Sequence, residues 1–423
     1  MRVLLVGSGG REHALACGLA RSPSLSELHA APGNPGIAAV AECHDVGLGD
    51  LARMTALAER LRADLVVIGP EAPLVAGLAD RLAAAGIASF GPSAGAAEIE
   101  GSKAFAKEVM AAAGVLTAPC TVCDTIGAAQ LAIAEADGRV VVKADGLAAG
   151  KGVTVCDDAA EAEQAVRECL VDGRFGGAGT RVLVEQRLEG RELSMLALCD
   201  GEAVLPLAPA RDYKRAGDGD RGPNTGGMGC ISPVPGADPA LVEEIVETIH
   251  RPVIAELARR GLPFRGCLYA GLMLTADGPS VIEFNARWGD PETQVIVPRL
   301  EGDLLEALAL TASGRLAEAS LDVSADACVS VVLAARGYPD APERGAEITG
   351  IGDASQVDGV IVFHAGTAVD DDGRLAVAGG RVLNVSGRGP DLAAARDRAY
   401  QAAELIAFDG MQLRSDIGEA ALV

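Results

Sequence analysis

The chain opens on four consecutive apolar residues, Val3 to Val6, followed by a glycine-rich turn and a helical pattern through Leu19. The run Leu65-Val66-Val67-Ile68 repeats the device before Gly69-Pro70 and another helical stretch. Short apolar runs alternating with helices mark parallel strands buried on both faces, because the crossover helices cover the sheet on either side. The first hundred residues therefore predict a doubly wound parallel sheet. Ligands collect at the carboxyl ends of such strands, where the loops read Gly7-Ser8-Gly9-Gly10-Arg11-Glu12, Pro32-Gly33-Asn34-Pro35-Gly36 and Gly69-Pro70-Glu71-Ala72-Pro73. This domain is expected to bind something small and polar.

From Thr121 to Gln186 the pattern predicts strands at Val140–Ala144, Val153–Cys156 and Val182–Glu185 around a helix near Asp158–Leu170, a compact unit resembling a lid. Strands Glu192–Cys199, Cys267–Leu274 and Ser280–Asn285 follow, with one well-patterned helix over Pro239–Arg259. The last hundred residues predict strands Cys328–Ala335 and Arg381–Val385 and a helix Asp391–Ile406 begun by Pro390 and Asp391. The resulting division is an N-terminal domain over 1–102, a central domain over 103–120 and 187–326, a lid over 121–186 and a C-terminal α/β domain over 327–423.

Composition agrees with several cores: 423 residues with 49% hydrophobic content suggest about three domains, and only 3% aromatics point to small aliphatic α/β cores. A net charge of -23 opposes binding to nucleic-acid backbones, so any anionic ligand has to be met by local cations. The ten cysteines are scattered, mostly in apolar stretches such as those of Cys17, Cys199 and Cys267, which suits free thiols in a reducing compartment. Cys120 and Cys123 form a C-x-x-C spacing, but no second pair or nearby histidine completes a zinc site. The first apolar run is too short for a signal segment and no stretch is long enough to span a membrane, so a cytoplasmic enzyme without membrane partners is expected.

The strongest chemical signal is Lys143-Ala144-Asp145-Gly146-Leu147-Ala148-Ala149-Gly150-Lys151-Gly152-Val153, which puts two lysines and three glycines in a turn between two strands. Such glycines let backbone N–H groups approach oxygen ligands, and the lysines neutralise a polyphosphate. It is not a Walker A loop: Gly146 to Lys151 is one residue short, Gly152 replaces the hydroxyl residue, and a strand follows. An ordinary hairpin with exposed lysines is the alternative. Glu283 and Asn285 alternate with Ile282 and Phe284, so their oxygens and the Arg287 guanidinium are expected on one face, as hard donors for magnesium and a cation for a phosphoryl group. Taken alone, the triplet also fits an edge strand with a polar face. Val184-Glu185-Gln186-Arg187-Leu188, then Glu192, reads as a strand, a hinge and a second strand, able to take adenine by backbone groups and ribose by a carboxylate, or simply as surface glutamates.

Arg211-Asp212-Tyr213-Lys214-Arg215 leads into Gly222-Pro223-Asn224-Thr225-Gly226-Gly227-Met228-Gly229, a long loop whose mixed charges and glycines suit a small zwitterion. The N-terminal Gly7-Ser8-Gly9-Gly10-Arg11-Glu12 lacks the third glycine of a dinucleotide fingerprint, Glu12 standing there, and the second strand ends on Ala31-Pro32 rather than an acidic residue. Its amides could still take a phosphomonoester. His13 suits either packing or ligand contact.

Ten separated blocks, GSGGREHAL, APGNPG, GPEAPL, FGPSAGAAEIEGSKAFAK, VVKADGLAAGKGV, GPNTGGMG, LYAGLM, VIEFNARWGDPETQ, FHAGT and GGRVLNVSGRG, together resemble the phosphoribosylamine–glycine ligases nearly end to end. The resemblance implies an ATP-grasp fold with nucleotide between lid and central domain. It makes Lys103 and Lys143 phosphate-side lysines, with Gly146, Gly150, Lys151 and Gly152 in the flap. Glu185 and Leu188 would flank adenine, Glu192 would hold ribose, and Glu283 and Asn285 would ligate Mg2+ or Mn2+. Gly9, Gly10, Arg11, Glu12, Gly33, Asn34, Pro70 and Glu71, with part of the C-terminal domain, would hold 5-phosphoribosylamine. Asp212, Lys214, Asn224, Thr225, Gly226, Arg287 and Asp290 would surround glycine and its acyl phosphate, with Lys143, Asp212, Lys214 and Arg287 catalytic. A monomer is expected. Tyr213 and Trp288 depart from the family pattern, where histidine and phenylalanine are common. Rival readings are another ATP-grasp ligase or carboxylase, a non-catalytic nucleotide-binding regulator and, more remotely, a nicotinamide dehydrogenase.

Overall fold

The apolar run at Val3–Val6 becomes the strand Arg2–Gly7, the middle of a five-stranded, all-parallel sheet in the computed structural model, which describes residues 1–148 and 152–421. Across the sheet the order is Glu42–Cys43, Glu27–Pro32, Arg2–Gly7, Leu65–Ile68, Ser89–Phe90. Successive strands step to one side of Arg2–Gly7 and then to the other, so the loops after Gly7 and Ile68 diverge and leave a crevice at the carboxyl edge. The helix Gly10–Leu19 starts there, and all of its residues but Cys17 are buried. Its Gly18 lets the helix approach Leu304 and Val297, to which a Cβ would lie within 2.7 and 2.9 Å.

The central sheet is antiparallel: Val204–Pro206, Arg191–Asp200, Arg265–Thr275 and Gly278–Asn285. Leu268, Val281 and Phe284 from it share one apolar core with Leu4, Val66 and Ile68 of the N-terminal sheet. The lid strands are ordered Cys120–Cys123, Val182–Gln186, Val140–Ala144, Val153–Val155, and two helices, Ile126–Glu135 and Ala159–Leu170, pack on them around a separate small core that includes Ile133, Val142 and Val166. No helix among the described residues is long and apolar enough to cross a membrane.

Three elements differ from the sequence expectation. The helix over Pro239–Arg259 contains a π turn at Val246–His250, which ends two residues before Pro252, whose missing N–H breaks the regular ladder. The strand Gly278–Asn285 carries a bulge: Val281 pairs with Leu272 and Glu283 with the adjacent Gly271, leaving Ile282 as the extra residue. Val281 and Phe284, three apart, therefore both face the core, while Ile282 joins Glu283 on the cavity side instead of opposing it. Finally, the segment 211–229 is not an open loop. Its ends, Arg211–Asp212 and Gly229–Ser232, form edge strands of the C-terminal sheet, beside Ala327–Ala334, Arg381–Gly389 and Val360–His364, and Arg215–Gly217 pairs with Arg221–Asn224. Backbone groups in so long a connection need partners, and the neighbouring sheet edge supplies them.

Candidate active site

Lid, central sheet and the edge of the N-terminal sheet enclose a cavity of about 760 Å³. The bulge at Ile282 shapes its floor, because the freed Ile282 carbonyl accepts from Lys143 Nζ at 2.9 Å. Lys143 also meets Glu185 Oε2 at 2.8 Å, and Lys107 Nζ lies 3.4 Å from Glu185 Oε1, while donating to the Ala118 carbonyl at 2.8 Å. The Glu185 side chain is thus committed to two lysines, and its strand leads directly into the hinge bearing Leu188, which lines the cavity. Lys103 starts the helix Lys103–Ala113 and donates to the Gly146 carbonyl at 3.2 Å, tying the flap to the central domain. A Cβ on Gly146 would lie 2.8 Å from Ala178, and one on Gly152 2.6 Å from Ala148, so both glycines serve close packing. Gly150 and Lys151 lie outside the described residues.

Glu283 and Asn285 face the cavity side by side. Burial by itself would raise the Glu283 carboxyl, but Lys214, Lys143, Lys103 and Arg287 outweigh it and hold the group below its ordinary value. Among the described residues it has no ion-pair partner within 4 Å. An ionised, uncommitted carboxylate beside an amide oxygen is a hard-donor pair that fits a divalent cation keeping further ligands from phosphate and water. The local cations also answer the acidic surface: Lys103 is itself pulled below its ordinary value by burial, with Glu283 opposing.

Arg287 is more constrained than expected. Its Nε meets Glu71 Oε2 at 3.1 Å, Nη2 meets Glu100 Oε1 at 3.0 Å and Asn285 Oδ1 at 3.4 Å, and Nη1 donates to the Trp288 carbonyl at 3.2 Å. With five donor hydrogens in all, it retains one for a ligand. Glu71 is held down at about 2, its burial outweighed by Arg287 and Arg11. Glu100, which also accepts from Ala286 N at 2.7 Å, is pushed up by burial against the pull of Arg287.

On the other wall Asp212 presents a buried Oδ1 without a hydrogen-bond partner among the described residues. Gly227 makes room for it: at φ +110 a Cβ there would lie 2.6 Å from that oxygen. Burial, helped by Glu292, pushes the Asp212 carboxyl well above the usual range, against Lys214 and Arg381. Lys214 Nζ lies 3.2 Å from Glu192 Oε2; burial lowers its affinity for a proton, but Glu192, Glu283 and Asp212 raise it further. Thr225 Oγ1 donates to the Lys214 carbonyl at 2.8 Å and accepts from Gly227 N at 3.0 Å, fixing the turn that carries Asn224 and Gly226. Asp290 Oδ2 meets Arg381 Nη2 at 3.3 Å, and Oδ1 accepts from Gln294 at 2.7 Å. Burial would raise Asp290, but Arg381 and Arg11 keep it low.

The N-terminal residues divide into cavity and support. Arg11 and Glu71 line the cavity. Glu12 does not: its side chain threads between Gly7 and Gly69, where a Cβ would lie within 2.3 and 2.2 Å, and accepts from Gly9 N at 2.7 Å and Arg11 Nε at 2.5 Å. It positions Arg11, which explains an acidic residue at that place. Gly10 abuts Asn384 Oδ1 and Gln294 Nε2, and Asn34 Nδ2 bridges the Ser8 and His364 carbonyls at 2.9 Å each, while Gly33 lies against Cys43 and Pro70 caps the short helix Glu71–Val75. His13 Nδ1 accepts from His364 N at 2.8 Å, so it joins the N- and C-terminal domains. Tyr213 lies at the cavity wall and also packs in the C-terminal core, its Oη accepting from Gly418 N at 3.2 Å, and Trp288 is fully buried. The Tyr213 hydroxyl is thus engaged by the Gly418 backbone.

Sequence reasoning missed Glu100, Glu292 and Arg381. Glu292 accepts from Tyr269 Oη at 2.7 Å and Ser194 Oγ at 3.0 Å, behind Asp212. All three sit inside blocks already singled out, but their partners are distant in sequence.

A four-stranded antiparallel lid over a lysine-lined cavity with paired oxygen donors, set against a doubly wound domain, defines an ATP-grasp enzyme. The chain belongs to the phosphoribosylglycinamide synthetase family: the family's N domain matches residues 1–100, its ATP-grasp (A) domain 101–293 and its C domain 328–420. It is 52% identical to phosphoribosylamine–glycine ligase of Phenylobacterium zucineum over 423 residues, covering 100% of both chains. The crystal structure of phosphoribosylamine–glycine ligase from Thermotoga maritima superposes with a TM-score of 0.86 at 35% identity, covering 99% of this chain and 100% of that one. The biotin carboxylase domain of Hydrogenobacter thermophilus 2-oxoglutarate carboxylase, solved with magnesium ADP and bicarbonate, shares the fold at a TM-score of 0.72 and 20% identity, over 97% of this chain and 91% of that one.

Proposed function

We propose that the protein joins glycine to 5-phosphoribosylamine, forming glycinamide ribonucleotide as ATP becomes ADP and phosphate, a step of purine synthesis. Family membership supports the substrates, and the observation that carries the chemistry is Glu283, ionised and uncommitted amid Lys103, Lys143, Lys214 and Arg287. A carboxylate oxygen is a poor leaving group, so glycine has first to be activated. A glycine oxygen attacks the γ-phosphorus of ATP, the bond to ADP breaks, and glycyl phosphate forms. The amine of phosphoribosylamine then attacks the acyl carbon, phosphate leaves with the C–O electron pair, and the nitrogen loses a proton.

The chain's own residues supply position and charge. Lys103 and Lys143 neutralise the phosphates, and the free donor of Arg287 serves the transferring group. Asp212 takes the glycine ammonium, with Lys214, Asn224, Thr225, Gly226 and Asp290 around it. Adenine lies along the hinge at Glu185–Leu188, with ribose near Glu192. Arg11, backed by Glu12, and the loops bearing Gly9, Gly10, Gly33, Asn34, Pro70 and Glu71 hold phosphoribosylamine. Glu283 and Asn285 hold Mg2+ or Mn2+, which would screen phosphate charge and orient the tail. The closed lid excludes water that would hydrolyse the acyl phosphate. No covalent enzyme nucleophile is needed, and the enzyme acts as a cytoplasmic monomer.

A coupled assay should show ADP formation that needs both glycine and phosphoribosylamine; turnover indifferent to either would reject the assignment. Glu283→Gln should lower kcat by about two to three orders of magnitude with an unchanged unfolding midpoint. A full rate in that variant would remove the metal role.

A further inference from the structure

A second cluster of ligating side chains lies outside the catalytic cavity, on the far edge of the N-terminal sheet. In the parallel register His29 pairs with Glu42 and Ala30 with Cys43. Alternation then puts Glu27 and His29 on one strand, and Glu42 and His44 on the next, all on the same sheet face. The three nearest donor atoms converge: His29 Nδ1 lies 3.1 Å from His44 Nε2 and 3.4 Å from Glu42 Oε2, and His44 Nε2 lies 3.9 Å from Glu42 Oε1. Ligands of tetrahedral zinc, at about 2.0–2.1 Å from the ion, sit about 3.3 Å apart.

The support around the cluster is that of a ligand set. Arg2 grips Glu27 through Nε at 2.7 Å and Nη2 at 2.9 Å, and Glu27 Oε2 in turn lies 3.3 Å from His29 Nε2. With Nε2 donating to Glu27, the Nδ1 lone pair is free to face an ion held with His44 and Glu42, the carboxylate–histidine arrangement that orients metal-bound imidazoles. His29 is buried, His44 half-buried and Glu42 exposed, so an ion would have an entry path and an open fourth position.

We propose that His29, His44 and Glu42 form a site for a divalent transition-metal ion of the zinc type, separate from the metal donors of the catalytic cavity. Its effect is structural. The edge strand Glu42–Cys43 is two residues long, and its Cys43, pointing to the opposite face, packs under Gly33, where a Cβ would lie 2.3 Å from Sγ. An ion bridging His29 to Glu42 and His44 staples this strand and so braces the loop Pro32–Gly36.

Titration of the purified full chain with Co2+ should give, at one equivalent, the intense d–d absorption of four-coordinate cobalt without a thiolate charge-transfer band, displaced by Zn2+. The thermal midpoint should rise with free Zn2+, as binding to the native state alone requires. His44→Asn should abolish the band, and Glu27→Gln, which leaves all three ligands in place, should weaken affinity about 10- to 100-fold. Unchanged binding in both variants would overturn the site. So would a thiolate band lost in Cys43→Ser; the imidazole pair would then be a plain hydrogen bond from His44 to His29.

Discussion

Asp212 shows how one side chain can be set to wait for its ligand. An unpartnered carboxyl oxygen in a low-dielectric wall is costly, and here it is tolerated because Gly227 leaves space and Lys214 and Arg381 partly offset its charge. In the proposed reaction the glycine ammonium would be the missing cation. As pH falls through the raised pKa, the free carboxyl takes up a proton and can no longer form that ion pair, so kcat/KM for glycine should decline toward acid pH, with most of the change in KM. Asp212→Asn should raise KM for glycine by about a hundredfold or more and remove this acid limb; profiles for both forms that keep the same limb would exclude the role. The sequence offered Asp212 as one charge of a segment suited to a zwitterion and, by family resemblance, as a residue near glycine, but nothing local shows a carboxylate to be unpaired. Glu100 was invisible for a related reason: its meaning lies in Arg287, 3.0 Å away in space and far along the chain.

At the scale of elements, strands and helices with simple periodicity were legible, and the irregular ones were not. The apolar runs at Val3–Val6 and Leu65–Ile68 could be read as parallel strands because both faces are covered. The bulge at Ile282 could not, since period-two alternation of Ile282 and Phe284 looks the same until the partner strand is known, although that bulge supplies the carbonyl for Lys143. Likewise Arg211–Asp212 and Gly229–Ser232 are too short to announce themselves and become strands by docking on a sheet formed elsewhere. Contacts between elements carry a pH prediction. Burial lowers His13 to about 3, with His364 adding, and burial lowers His364 to about 4, against an ordinary 6.5. Both pKa values are depressed in the fold, so the stability they contribute is complete above pH 6.5 and lost progressively toward pH 3–4. His13→Gln keeps an acceptor for His364 N but does not titrate. Between pH 6.5 and 5 the wild type should lose about 2 kcal/mol more than this variant in denaturant unfolding; parallel curves would show that His13 is not held neutral at the domain junction.

The whole molecule is an acidic body built around a cationic cleft, and the lid is where that opposition has mechanical consequences. The lid has its own core, and near the cavity polar ties join it to the body of the molecule: Lys143 to the Ile282 carbonyl, Lys103 to the Gly146 carbonyl, Lys107 to Glu185, and Asp145 to Ser102 and Ala104. Lys143, Lys214 and Arg287 each have a carboxylate partner, in Glu185, Glu192, and Glu71 with Glu100, whereas Lys103 has no ion-pair partner within 4 Å among the described residues and is held below its ordinary value by burial and by Lys143, so it is the cation most in need of an anion. In the proposed reaction a triphosphate with its metal ion would give Lys103 an anionic partner and contact both sides at once, so it should favour the closed arrangement by differential binding. AMP-PNP with Mg2+ should therefore slow amide hydrogen exchange across 121–186, most of all in Val140–Ala144 and Val182–Gln186, while Arg265–Thr275 in the central sheet, already packed in a shared core, should change little. The Lys103→Met variant, which removes one tie and one phosphate cation together, should lose most of this protection. Protection that appears equally in every domain, or that survives in Lys103→Met, would mean that the nucleotide stabilises the fold generally and does not act as the latch between lid and body.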